Sequence, residues 1–167
     1  MKYTAEGIIQ HFQLAPHPEG GYFKEVFRSR NGSEFHDETQ GIIGFRNYLT
    51  GIYFLLTGDS FSAFHRINQD ESWHFYLGAP VTIFVINPEG QLTQFKLSND
   101  LNSDTEFQVT IPANHWFAAK VDTSESFAFV GCNVAPGFEF VDFELTDRKQ
   151  LSSEYPQHAS LIRELTR

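Results

Sequence analysis

The stretch "GDSFSAFHRINQDESWHFYLG", Gly58 to Gly78, decides the fold. Two runs that alternate polar with aromatic or aliphatic residues flank "INQD", whose Asn and Asp favour a chain reversal. Two antiparallel strands joined there would bring His65 and Glu71 close together. An imidazole beside a carboxylate can do acid–base work or hold a metal. Alternation from Ser60 gives His65 the same face as Phe61 and Ala63. His74 stands three residues beyond Glu71. In a regular strand those two point to opposite faces, unless a bulge intervenes.

The same signals extend in both directions. "GIYFLL" (51–56) and "VTIFVI" (81–86) are apolar on both faces. Such strands are expected where a sheet packs against a second sheet or a second subunit. "NPEG" (87–90) turns the chain from "VTIFVI" into "QLTQFKL". "EFQVTIP", "HWFAAKV" and "SFAFVGCNV" read as further strands. Nearer the start, "HPEGGYFKEVFRS" (17–29) opens with a Glu-Gly-Gly turn. His17 and this turn read as structural, because Gly supplies positive φ where a chain reverses. The strand that follows places Phe23, Glu25 and Phe27 on one face and Tyr22, Lys24, Val26 and Arg28 on the other.

Thr4 can cap a short helix with Ile8, Ile9 and Phe12 on one face, ended by Pro16 and Pro18. The tail from Leu145 reads as two short helices split by Pro156. No internal repeat or linker divides the chain, so a single domain over residues 1–167 is expected. About nine to eleven short strands predict an all-β sandwich, jelly roll or barrel. The 18 Phe agree, since aromatics favour pleated, half-buried surfaces.

A net charge of −9 argues against nucleic acid as a partner and against anionic membrane surfaces. The one cysteine, Cys132, cannot form an internal disulfide, and no signal pattern or long apolar run is present. The expectation is a cytoplasmic protein. Between Gly131 and Asn133, Cys132 reads as a small buried residue rather than a nucleophile.

At this point a family resemblance becomes specific. Cupins carry a first motif of Gly, His-x-His, Glu and Gly, and this chain supplies Gly58, His65, Glu71 and Gly78. The second cupin motif, P-x-G followed by His, resembles "IPANHWFAA" (111–119). Ile67 and Phe117 stand where metal-binding cupins have histidines. The chain is similar over nearly its whole length to the Cupin-5 family, a domain of unknown function, through "HPEGGYFKEVFRS", "FHRINQDESWHFYLG", "IPANHWFAA" and "GCNVAPGFEFVDFEL". The resemblance implies an RmlC-like cupin jelly-roll β-barrel with short N-terminal and C-terminal helices.

More distantly, Gly21-Tyr22-Phe23-Lys24-Glu25 resembles the G-x-F-x-E segment of dTDP-4-dehydrorhamnose 3,5-epimerases. Gly20 stands where those enzymes have Arg. That likeness implies substrate contacts from this strand, partly across a dimer interface, and a histidine base paired with an aspartate. His65 matches the base, and Asp142 in the late strands is the candidate aspartate.

The candidate catalytic residues are therefore His65, Glu71, His74 and Asp142. Phe23, Glu25, Arg46 and Trp116 are candidates for ligand contact. A divalent metal, if one binds, would use His65 and Glu71 with an off-register histidine. The expected partner is a small molecule, sugar-like or another polar carbonyl compound, that an epimerase or isomerase turns over with His65 as base, that a metal-dependent enzyme turns over, or that a non-catalytic binder or sensor only holds. The expected assembly is a homodimer, with "GIYFLL" or "VTIFVI" and the N-terminal strand as contacts.

Overall fold

The computed structural model describes residues 3–101 and 103–167. Helix α1 (Ala5–Phe12) starts where Thr4 accepts a hydrogen bond from the Gly7 N–H at 3.1 Å. Strands follow in the order β1 (Ala15–Pro16), β2 (Tyr22–Arg28), β3 (Gly32–Asp37), β4 (Ile42–Asn47), β5 (Thr50–Thr57), β6 (Phe61–Ile67), β7 (Asp70–Gly78) and β8 (Val81–Ile86). Then come β9 (Leu92–Leu97), β10 (Gln108–Ile111), β11 (Trp116–Val121), β12 (Phe127–Ala135) and β13 (Phe143–Leu145). Helices α2 (Arg148–Glu154) and α3 (Ala159–Glu164) complete the chain. None of the described helices is long and apolar enough to cross a membrane.

The strands form a six-stranded sheet, β1-β2-β5-β12-β7-β10, and a five-stranded sheet, β13-β6-β11-β8-β9. The pairings within both are antiparallel. Their inner faces meet over Phe54, Trp73, Phe75, Ile83, Val85 and Phe117. This is the jelly-roll barrel that the sequence resemblance implies. Strands β3 and β4 make a separate hairpin.

Two features depart from the sequence expectation. First, β6 and β7 do not pair with each other. Strand β6 lies between β13 and β11, while β7 lies between β12 and β10. The "NQ" corner carries the chain from one sheet to the other, so His65 and Glu71 come from opposite walls of the barrel. Second, the doubly apolar strands are covered by the chain's own helices. Helix α1 packs Ile8 over Leu55 and Phe129 outside the larger sheet. Leu151, Tyr155 and Ile162 pack over Phe84, Ile86 and Trp116 outside the smaller one. Periodicity finds the second buried face but not what buries it.

Because the C-terminal helices complete this outer core, Leu151→Ala should cost about 2–5 kcal/mol. Urea unfolding should show a lower midpoint with an unchanged slope. A loss under about 0.5 kcal/mol, the scale of surface substitutions, would mean that this layer does not support the sheet.

Candidate functional site

The site starts with the turn before β2. His17 N–H donates to the Gly21 carbonyl and Gly20 N–H to the His17 carbonyl, each at 3.0 Å. Gly20 has φ +116°, and a Cβ there would lie 2.2 Å from the Phe61 carbonyl oxygen. The turn can therefore press against β6 only with glycine at this position. The Glu19 carbonyl accepts from the Ala63 N–H at 2.8 Å, and Glu19 is 6% exposed.

Strand β6 meets this turn through an irregularity. Its register with β11 shifts between the partners of Phe117 and Ala119. Phe61 and Phe64 both pack in the outer core under the C-terminal helices, so simple alternation from Ser60 fails. The extra residue lets Ser62 and His65 both reach inward to Glu19.

Glu19 collects three partners. Ser62 Oγ donates to its Oε1 at 2.8 Å. His65 Nε2 lies 3.2 Å from Oε2, and His17 Nδ1 lies 3.3 Å from the same oxygen. Burial pushes the Glu19 carboxyl up, and the joint pull of His65, His17 and Ser62 outweighs it, leaving its pKa below the ordinary 4.5. For His65 burial dominates and lowers the pKa, against the opposite pull of Glu19 and the Ala63 carbonyl. The hydrogen-bond geometry decides how these tendencies combine. His65 Nδ1 lies 2.7 Å from the Ala63 carbonyl oxygen, which can only accept. Both ring nitrogens thus face acceptors. A neutral imidazole would set two lone pairs against each other, so a proton lies between Nε2 and Oε2. The Glu19 carboxylate is the anchor of this arrangement.

Across the cavity stands Glu71 on β7. It is 8% exposed, and no described residue forms an ion pair with it. Burial raises its pKa to about 8, with the Glu19 charge adding to the rise and the Cys132 thiol and Trp73 indole drawing it slightly down. Burial thus favours the neutral acid for Glu71. Burial likewise pushes the Cys132 thiol well up, so it is no thiolate nucleophile.

These groups line a cavity of about 100 Å³, several times the space one water needs. Its walls are aromatic: Phe23, Phe54, Trp73, Phe138, Phe140 and Phe143. His17 sits among them, with ring centroids 4.6 Å from Phe23 and 5.9 Å from Phe143. At the more exposed rim, Arg28 forks onto Glu25, Nε to Oε1 at 2.9 Å and Nη2 to Oε2 at 2.8 Å. It also donates to Glu139 Oε1 at 2.7 Å and to the Phe138 carbonyl at 3.2 Å. A register shift in β2 between Glu25 and Phe27 leaves Phe27 half-exposed, off the Phe23 and Glu25 face.

The expected residues therefore divide. His65, Glu71, Phe23 and Glu25 line the cavity. Arg46 and Asp142 do not. They bind each other, Arg46 Nε to Oδ2 at 2.7 Å and Nη2 to Oδ1 at 2.6 Å, and Gln69 Nε2 donates to Asp142 Oδ2 at 2.6 Å. Asp142 thus locks hairpin β3–β4 to the β6–β7 corner, and the carboxylate beside His65 is Glu19. His74 alternates away from Glu71 and meets Asn133 Nδ2 at 3.1 Å on the outer face. Trp116 is buried in the outer core with Arg66 over its ring at 4.4 Å. Glu19 and His17 are the residues the sequence reading missed. Alternation rules do not apply inside a turn, so nothing local announces that Glu19 points inward.

The residues present do not suit a divalent metal. Among the described residues no three His, Cys, Asp or Glu are grouped to hold one. Ile67 and Phe117 occupy the missing ligand positions as buried apolar groups, and both His65 nitrogens are taken.

Two outcomes follow. Asp142→Ala leaves Arg46 buried and uncompensated, so it should destabilise by about 3–5 kcal/mol in urea; a loss under about 1 kcal/mol would mean the pair is not a clamp. For Glu71, the folded pKa lies above the ordinary 4.5. Between about 4.5 and about 8 the unfolded chain releases a proton that the folded chain keeps, so stability falls as pH rises through that window. Glu71→Gln should gain on the parent by on the order of a few kcal/mol between pH 5 and pH 8. A difference independent of pH would contradict the buried neutral acid.

Comparison with known proteins agrees with this architecture. The family model Cupin_5, described as cupin superfamily (DUF985), matches residues 6–146. The uncharacterized protein YML079W of Saccharomyces cerevisiae is 33% identical over 148 residues, covering 83% of this chain and 73% of that protein. The crystal structure of protein SO0799 from Shewanella oneidensis is 36% identical with a TM-score of 0.88, over 99% of this chain and 98% of that one. A hypothetical protein from Leishmania major is 33% identical with a TM-score of 0.89, over 98% and 99%. Oxalate decarboxylase from Bacillus subtilis shares the fold alone, at 12% identity and a TM-score of 0.56, over 90% of this chain and 36% of that one. The chain belongs to the Cupin_5 family of the cupin superfamily.

Proposed function

We propose that this chain is a small-molecule-binding cupin that moves a proton next to the carbonyl of a polar, sugar-like compound, as an isomerase or epimerase would. One observation carries the reading: a single cavity holds two buried carboxyl groups in opposite surroundings, Glu19 against two imidazoles and a hydroxyl and Glu71 with no ion-pair partner among the described residues. Glu19 is kept ionised by His65, His17 and Ser62, while Glu71 is kept neutral by burial. Pairs of carboxyl groups pushed apart in this way divide the roles of base and acid.

In this reading the base is the Glu19–His65 pair. His65 has no free lone pair for a substrate, but Glu19 retains lone-pair capacity beyond its three contacts. The substrate's α-proton passes to the lone pair that Glu19 Oε1 keeps beside Ser62, which turns Glu19 into a neutral carboxylic acid next to His65. Glu71 donates its proton to the carbonyl oxygen, which leaves a neutral enol. Return of a proton to carbon, and of the enol proton to Glu71, completes the isomerisation. The aromatic walls exclude water from the enol.

The protein acts in the cytoplasm, supported by a free, buried Cys132. It acts as a homodimer through the N-terminal strand and hairpin, where Phe27, Ile43 and Phe45 are at least half-exposed.

The test is solvent exchange. In D₂O, a panel of ketoses and small ketones should include one whose α-proton is replaced by deuterium, followed by NMR. Glu71→Gln and Glu19→Gln should each slow exchange by roughly 10²-fold or more, and His74→Ala should not. A ligand that stabilises the fold but is recovered without deuterium would make the protein a binder and overturn the catalytic reading.

A further inference from the structure

The groups at the cavity mouth bear on what can enter it. Arg28 is the one Arg or Lys among the cavity-lining residues. Glu25 takes one edge of its guanidinium, Nε and Nη2, and on the other edge Nη1 donates to Glu139 and Asn47 and Nη2 to the Phe138 carbonyl. Two carboxylates against one guanidinium leave the mouth with a net negative charge. Further in, Glu71 is more than nine-tenths buried, lines the cavity and has no ion-pair partner among the described residues. Between mouth and floor the cavity is lined by Phe23, Phe54, Phe138 and Phe140. Carboxylates beside aromatic rings, with the one guanidinium already paired, favour a cation over an anion, and a ring face turned to the ligand adds to that preference. The whole chain, at −9, adds a field of the same sign.

We propose that the cavity selects a ligand bearing an ammonium group, which seats among the aromatic walls against Glu71. An anionic group such as a phosphate or carboxylate finds no free cation at the mouth, since releasing Arg28 would strand Glu25 and Glu139. A neutral Glu71 is the state of the empty site. When an ammonium enters, attraction between opposite charges favours the carboxylate, so Glu71 gives its proton to solvent on binding. The ligand keeps its own proton, and the site changes from a carboxylic acid to a carboxylate–ammonium pair. The inference concerns the same cavity as the proton-transfer reading and a different occupant: with an ammonium seated there Glu71 has no proton to give a carbonyl, so such a ligand occupies the site without being turned over.

Three probes of one shape separate the outcomes: benzylamine, benzyl alcohol and benzoate. None has an α-proton next to a ketone, so binding is read whether or not the protein is an isomerase. Isothermal titration at pH 7 should rank benzylamine above benzyl alcohol by roughly tenfold or more, with benzoate weakest. Repeating the benzylamine titration in buffers of different ionisation enthalpy should show release of close to one proton per site. That release should fade above pH 9, where Glu71 is already ionised. Glu71→Gln should abolish proton release and weaken benzylamine roughly tenfold, while leaving benzyl alcohol unchanged. Tightest binding by benzoate would make Arg28 an anion anchor and overturn the proposal. Equal binding of the three probes, no binding of benzylamine at millimolar concentration, or benzylamine binding without proton release would overturn it as well.

Discussion

The contact between Glu19 and His65 is the constraint on which the site depends. A carboxylate this deeply buried is costly unless it is paired and hydrogen-bonded. Glu19 meets that condition only where the turn before β2 lies directly on β6. That approach requires Gly20, whose missing Cβ leaves room for the Phe61 carbonyl. It also requires the irregular register of β6, which turns Ser62 and His65 inward together. One interaction therefore fixes the turn, the strand and the position of the imidazole.

The barrel then places the opposite chemistry on the facing wall. Strand β7 carries Glu71 and Trp73 inward from the larger sheet, while β6 carries His65 from the smaller one. Glu71 has no cation to hold its charge, so burial decides its state. Glu19 has two imidazoles and a hydroxyl, so its partners decide its state. Two chemically identical groups differ in protonation because their neighbours differ. The Arg46–Asp142–Gln69 clamp supports this arrangement from outside the cavity by fixing the corner between β6 and β7.

Much of the architecture was legible from residue pattern. Alternation located β2, β6 and β7 as strands, and the cupin-like spacing singled out His65 and Glu71, both of which line the cavity. What failed did so for identifiable reasons. Sequence proximity suggested that β6 and β7 pair, but a corner between sheets has the same local signature as a hairpin turn. Doubly apolar β5 and β8 suggested a second sheet or a second subunit; the facing sheet covers one side and a helix the other, because periodicity does not tell what the covering layer is. Asp142 looked like the partner of His65 by its place in the late strands, while the buried Arg46 had first claim on it. Glu19 was hidden because its direction is set by Gly20 and Gly21, both at positive φ, and not by any alternating run.

The central claim is that Glu19 and Glu71 share one cavity in opposite protonation states. Carbon-13 NMR of the glutamate side-chain carboxyls, followed with pH and assigned through Glu19→Gln and Glu71→Gln, tests it directly. The account predicts that the Glu19 signal stays at the ionised position down to below pH 4.5 and that the Glu71 signal titrates near pH 8. Titration of both signals together between pH 4 and 5, as for exposed glutamates, would contradict it.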